Sequence, residues 1–259
     1  MEPVFFQERI ALRYNEGQVQ QINEKVVFEV PLTLFLNEIE FATLVCSPDS
    51  FKELAVGFLL GEGLIQQIDD IIEMTTEEGI IKFYTKSDAP IADNFIRRHS
   101  AGYFGKGKAG LHFSEERTIQ PVESGTTFQA DNLLKLIEQL EARSGTFKQT
   151  GGVHAAALGQ KDTFLVMYED IGRHNAVDKV AGYLLLNKIS PEDKCLVLSG
   201  RIASEILIKA ARCGIPMVLS RSAPTGMALN LADELGVCVV GFARGRRFSI
   251  YSHPERVIL

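Results

Sequence analysis

The second half of the chain carries the pattern that most limits its fold. Short apolar runs at Val153–Leu158 and Phe164–Tyr168 read as paired strands. A helix at Ala176–Leu186, a strand at Cys195–Leu198 and a helix at Ala203–Arg212 follow. The alternation continues with strand Pro216–Leu219, helix Gly226–Leu235 and strand Val237–Val240. A last strand, Phe248–Tyr251, returns antiparallel. Strands separated by helices of this length form βαβ units, because a parallel crossover needs a helix-length connection. The expected class is α/β: a mainly parallel sheet with helices on both faces, a three-layer α/β/α domain over residues 126–259.

Residues 1–125 read as a smaller α+β domain. Lys25–Leu36 and Ile39–Cys46 are β-rich runs joined at Asn37-Glu38, a hairpin signal. Ser47-Pro48 reads as a cap and first-turn proline for a helix that stops at Gly61 or Gly63. Ile71–Met74 and Ile80–Tyr84 suggest a second hairpin, and Asp131–Arg143 an amphipathic helix. Composition narrows the function. With 46% hydrophobic residues the 259-residue chain is neither disordered nor fibrous. It has no apolar run long enough to span a membrane, and its opening MEPVFFQERI has no basic, signal-like start. Cys46, Cys195, Cys213 and Cys238 are scattered without a CxxC, which points to reduced thiols and a cytoplasmic protein.

A net charge of −6 argues against nucleic acid as a partner. The charge is uneven: residues 1–150 carry −9 and residues 151–259 carry +3. An anionic ligand is therefore to be sought in the second half. There each strand ends in a polar run. These runs are Glu169–Asn175, Ser199–Arg201, Ser220–Thr225 and Gly241–Arg247. Ligands of open α/β sheets bind outside the carboxyl ends of the strands, where helix N-termini favour negative charge. Arg173, Arg201, Arg221, Arg244, Arg246 and Arg247 all fall at this edge. Guanidinium groups bind phosphate through paired donors. Taken singly, each loop reads as helix caps and solvated arginines; together, the four indicate a phosphate-bearing ligand that touches several loops, with Ser220, Ser222 and Thr225 as further contacts. His154 and His174 line the same edge. Asp178, four residues after His174, could orient its imidazole or belong to a buried polar network.

Three other signals fail on context. Gly105-x-Gly107-x-x-Gly110 matches a dinucleotide glycine pattern but lacks the strand before and helix after. Gly102 to Lys108 nearly makes a P-loop, but Ala109 lacks the magnesium-binding hydroxyl. His154 is followed by Ala155 and Ala156, not by the glutamate of a zinc deaminase, so no protein-ligated metal is expected.

The motifs EVPLTLFLN (Glu29–Asn37), CSPDSFKELAVGFLLGEGLI (Cys46–Ile65), TGGVHAAAL, EDIGRHNAVDK, LSGRIASEILIKA, SRSAPTGMALNLA and GFARGRRFSIY occur in order. In these the chain resembles the FdhD family, the formate dehydrogenase accessory sulfurtransferases. The resemblance implies a cytidine-deaminase-like α/β/α domain without deaminase chemistry, and a homodimer. It implies maturation of formate dehydrogenase: sulfur from a cysteine desulfurase is passed to the bis-molybdopterin guanine dinucleotide cofactor, which is then delivered to the dehydrogenase catalytic subunit. The family's nucleotide-cofactor segment maps onto Phe242, Ala243, Arg244, Gly245, Arg246 and Arg247. Its loop cysteines do not carry over: those positions are Ala101 and Phe104, which cannot hold a persulfide. Two readings follow. One is a cysteine-less cofactor chaperone or regulator that binds guanine nucleotide without sulfur transfer. The other is an enzyme using a different thiol, for which Cys46, beside an expected helix start, is the candidate. Packing of Cys46 in the core is the commoner state of such a residue.

Overall fold

A computed structural model describes residues 5–86 and 119–259. It opens on an antiparallel ribbon of β1 (Phe6–Asn15) and β2 (Gln18–Val27). The ribbon divides the expected run Lys25–Leu36: β2 ends at Val27 and β3 (Val30–Leu36) starts three residues later. Next come β4 (Ile39–Cys46), α1 (Phe51–Gly61), β5 (Ile71–Glu77) and β6 (Ile80–Thr85), with a four-stranded sheet in the order β4-β3-β6-β5. Asn37 and Glu38 both have positive φ, as a two-residue hairpin turn between right-twisted strands requires. Alternation in β3 buries Leu32, Leu34 and Leu36 in a core that also takes Leu54 and Leu59 of α1.

The second half builds β7 (Phe128–Gln129), α2 (Ala130–Arg143), α3 (Gly145–Thr150), β8 (His154–Gln160), β9 (Thr163–Asp170) and α4 (Arg173–Leu186). It continues with β10 (Lys194–Leu198), α5 (Ser204–Arg212), β11 (Met217–Ser220), α6 (Gly226–Glu234), β12 (Cys238–Arg244), β13 (Arg247–Ser252) and β14 (Val257–Ile258). Six strands form one sheet in the order β13-β12-β11-β10-β8-β9. The expected α/β class is correct. However, only β10, β11 and β12 run parallel; β13, β8 and β9 pair antiparallel at the flanks. The reason lies in the connections. Short turns lead from β8 to β9 and from β12 to β13, and a short turn can only reverse the chain.

Side chains leave this sheet alternately to two cores. Ala156, Leu158, Leu196, Leu198, Val218 and Val239 face the cluster shared with α4, α5, α6 and α1. Ala155, Ala157, Cys195, Val197, Met217 and Val240 face the cluster under α2. Helices thus cover both faces. The first cluster continues without a break into Leu34, Phe41, Leu54 and Phe83 of the N-terminal sheet, so it takes side chains from both sides of the boundary expected at residue 125.

Helix α1 is the joint. It crosses α4 in backbone contact: a Cβ added at Gly57 would lie 1.7 Å from the Asp178 carbonyl oxygen, and one at Gly182 would lie 1.9 Å from that of Glu53. Only glycine permits this approach. Beside the crossing lies a buried charge network. The fully buried Lys179 ammonium sits 2.6 Å from Asp49 and 2.8 Å from Asp170. Lys209 donates to both oxygens of Asp178 at 2.6 Å. Ser47 is part of this network, not the expected helix cap. Its N–H donates to Asp170, and its hydroxyl accepts from the Ile171 N–H. The helix itself spans Phe51–Gly61, within the expected run FKELAVGFLLGEG, and follows a left-handed Ser50.

Candidate functional site

The carboxyl ends of the parallel strands and the start of α4 form one continuous edge, stitched by loop-to-loop hydrogen bonds. Ser199 extends β10 against β8: its N–H donates to the Ala155 carbonyl and its hydroxyl accepts from the Ala155 N–H. The Ile202 N–H donates to the Ala223 carbonyl, and the Thr225 N–H to the Ile202 carbonyl, joining the loops after β10 and β11. The Phe242 N–H donates to the Ser222 carbonyl and the Arg244 Nε–H to the Arg221 carbonyl, joining the loop after β11 to the β12–β13 turn. These bonds fix the spacing of the arginine-bearing loops before any ligand arrives.

Not every expected contact residue offers its side chain to this edge. Ser220 is buried and donates to the Gly200 carbonyl at 2.6 Å, while accepting from the Ser222 N–H. It builds the loop. Thr225 caps α6 by accepting from the Ala228 N–H. The Ala243 side chain lies in the core under α2. Arg221 pairs with Glu141 of α2 at 2.6 Å. What remains turned outward is Phe242, half-exposed on a left-handed backbone, the αL Gly245, and exposed Arg201, Arg244, Arg246 and Arg247.

The second group sits where α4 begins. The helix starts at Arg173, earlier than Ala176, so Arg173 and His174 occupy its first turn. His154 Nδ1 and the Arg173 side chain approach Gly200 so closely that an added Cβ there would meet them at 3.4 and 3.6 Å. The Arg173 Nε–H is buried and has no hydrogen-bond partner among the described residues. A buried unpartnered donor costs about 1–3 kcal/mol. An anion at this position would remove that cost. Burial, with Arg173 next to it, holds the His154 imidazole below its usual range. Burial pushes His174 down to about 3, and the neighbouring Lys209, Arg173 and His154 act in the same direction. Glu205 lies 3.4 Å from His174, but it is well solvated and does not offset this. Asp178 is not its partner, because that carboxylate is committed to Lys209. At neutral pH the edge therefore carries guanidinium charge and two neutral imidazoles, a donor-rich surface suited to phosphate oxygens.

The structure buries the alternative nucleophile. Cys46 is fully buried at the end of β4, its thiol directed at the Val30 carbonyl 3.7 Å away. Burial, then the Asp170 carboxylate, pushes its pKa up to about 12. Cys213 and Cys238 are likewise pushed up to about 12 by burial, and Cys195 is raised as well. At all four, burial favours the neutral thiol over the thiolate. Ala101, Phe104 and the glycine-lysine stretch Gly102–Gly110 lie outside the described residues. Sequence reading placed Ser199 and Gly200 on this edge but missed Glu205, for which a place in the first turn of the helix after β10 was the available signal.

The model of the FdhD/NarQ family matches residues 27–258. The chain is 41% identical to a sulfur carrier protein FdhD of Bacillus pumilus, over 99% of each chain. It is 40% identical to that of Geobacillus kaustophilus, over 95% of each. A crystal structure from Desulfotalea psychrophila, of a protein assigned as a formate dehydrogenase accessory protein, superposes with a TM-score of 0.81 at 26% identity, covering 98% of this chain and all of that one.

Proposed function

The chain belongs to the FdhD/NarQ family, and from that premise we propose that it is a maturation factor for formate dehydrogenase that carries the bis-molybdopterin guanine dinucleotide cofactor without transferring sulfur through a thiol of its own. The observation that carries the reading is the pre-stitched guanidinium edge with the unpartnered Arg173 Nε–H in its floor. Pyrophosphate groups of the cofactor match the exposed guanidiniums Arg201, Arg244, Arg246 and Arg247, and Arg173 with His154 suits an oxygen bound deeper. The half-exposed ring of Phe242 provides a stacking surface for a base. The cofactor itself supplies the metal and its sulfur ligands; the chain's residues bind, orient and release it. The dehydrogenase catalytic subunit is the receiving partner. The buried thiols favour carrier over sulfurtransferase, since a persulfide needs an accessible thiolate.

Calorimetric titration with GDP, with ADP as control, tests the site. GDP stands for the guanine nucleotide end of the cofactor. Selective GDP binding that weakens about tenfold or more in Arg201→Ala or Arg244→Ala is expected, because a charge-assisted contact contributes about 1.5–3 kcal/mol. No binding, or equal affinity for ADP, would sink the cofactor reading. Incubation with a cysteine desulfurase and cysteine tests the second part by mass spectrometry. The carrier reading expects an unmodified chain, whereas an adduct of about 32 Da on any of the four cysteines would restore the enzyme reading.

A further inference from the structure

Strand β9 is the outer strand of the six-stranded sheet, and no other described strand pairs with its free side. Proteins blunt such edges with lysine, proline or a covering element, because unpaired backbone groups recruit a further strand. The sequence of β9, TFLVMYED, has no basic residue and no proline. Beside it runs an open groove of about 500 Å³. Phe5, Phe164, Leu165, Met167 and Tyr168 make its apolar surface, and Arg143 stands on its rim.

The charges along this groove are unequal in their commitments. Asp49 is taken by Lys179. The Glu169 carboxylate accepts from the Thr146 and Phe147 N–H groups at 2.8 and 2.9 Å. The Arg143 guanidinium lies over the Phe164 ring, 5.6 Å from its centroid, and has no carboxylate partner among the described residues. Among the described residues, Arg143 is thus the cation on this groove without a carboxylate partner, beside an apolar surface and a strand edge that no described strand pairs.

We propose that β9 and this groove are a docking site for an extended segment of a partner polypeptide, which adds to the sheet as a further strand, places alternate apolar side chains on the groove floor and sets a carboxylate against Arg143. Addition of a strand to an exposed edge draws affinity from main-chain hydrogen bonds and selectivity from the side-chain pockets. At about 3.4 Å per residue the eight residues of β9 can pair with five or six residues of a guest. The site is separate from the arginine edge and does not depend on the cofactor reading.

A fluorescein-labelled octapeptide of alternating valine and threonine with one central aspartate is the probe, and the same peptide with lysine for aspartate is the control. Saturable binding in fluorescence anisotropy is expected, with hydrogen-exchange protection of the Leu165–Tyr168 amides. Arg143→Glu should weaken it at least tenfold, and Leu165→Lys should abolish the protection, while GDP titration and thermal midpoint of both variants match those of the parent chain. Absence of saturable binding, equal binding of the lysine control, or protection confined to other strands would overturn the proposal. So would β9 amides already protected without peptide in a concentration-dependent way, since a second copy of the chain would then occupy the edge.

Discussion

Single residues decide the electrostatic character of the protein. Lys179 is the clearest case: it is fully buried, and its ammonium answers two carboxylates. Lys179→Met would leave Asp49 and Asp170 facing each other unpaired. Loss of one partner from a buried ion pair costs about 3–5 kcal/mol; urea unfolding should show a loss of this size with little change in slope. His174 makes stability depend on pH. Its folded-state pKa of about 3 lies below the unfolded value, so the native state binds fewer protons. Stability from this group is complete above about pH 6.5 and is lost as pH falls toward 3. Between pH 7 and pH 5 the loss amounts to about 2 kcal/mol at most. A His174→Asn variant should show a flatter melting-temperature profile over that interval, and an unchanged slope would refute the assignment. Cys46→Ala should cost stability through lost packing yet leave GDP affinity unaltered, which a calorimetric comparison would check.

At the scale of elements, the sequence was most readable where periodicity and turn chemistry agreed. The Asn37-Glu38 hairpin, α2 and the β10 to β12 alternation lie close to their expected positions because local pattern and burial point the same way. The β1–β2 ribbon went unassigned although Ile10, Leu12 and Tyr14 alternate along it and Glu16-Gly17 makes its turn; that apolar side is exposed and joins no core. The Ser47 cap failed because its hydroxyl accepts from the Ile171 N–H, 124 residues away, and not from a helix N–H. The same limit applies at the candidate site. Arginines at strand ends were legible, but the commitment of Ser220 to Gly200 and of Asp178 to Lys209 depends on tertiary neighbours that no spacing reveals. The α1–α4 contact gives a sharp test. Gly57→Ala and Gly182→Ala each drive a methyl into a carbonyl of the facing helix. Overpacking commonly costs about 1–3 kcal/mol and occasionally more. Here the obstacle is backbone that cannot rotate aside, so a loss at or above the top of that range is expected in chemical denaturation.

Across the whole molecule, the arginine-bearing loops and the unpaired edge of β9 occupy different margins of one sheet, and the N-terminal sheet shares its core. Mechanically, the glycine crossing of α1 and α4 is a rivet and not a hinge. Where Gly57 and Gly182 meet the facing backbone no side chain separates the helices, so rotation about the crossing would drive one main chain into the other. Cargo therefore cannot be seized by the two halves closing like jaws. Any gripping motion is left to the loops at the strand ends, and the X-ray scattering profile of the protein should keep the same radius of gyration with and without saturating GDP.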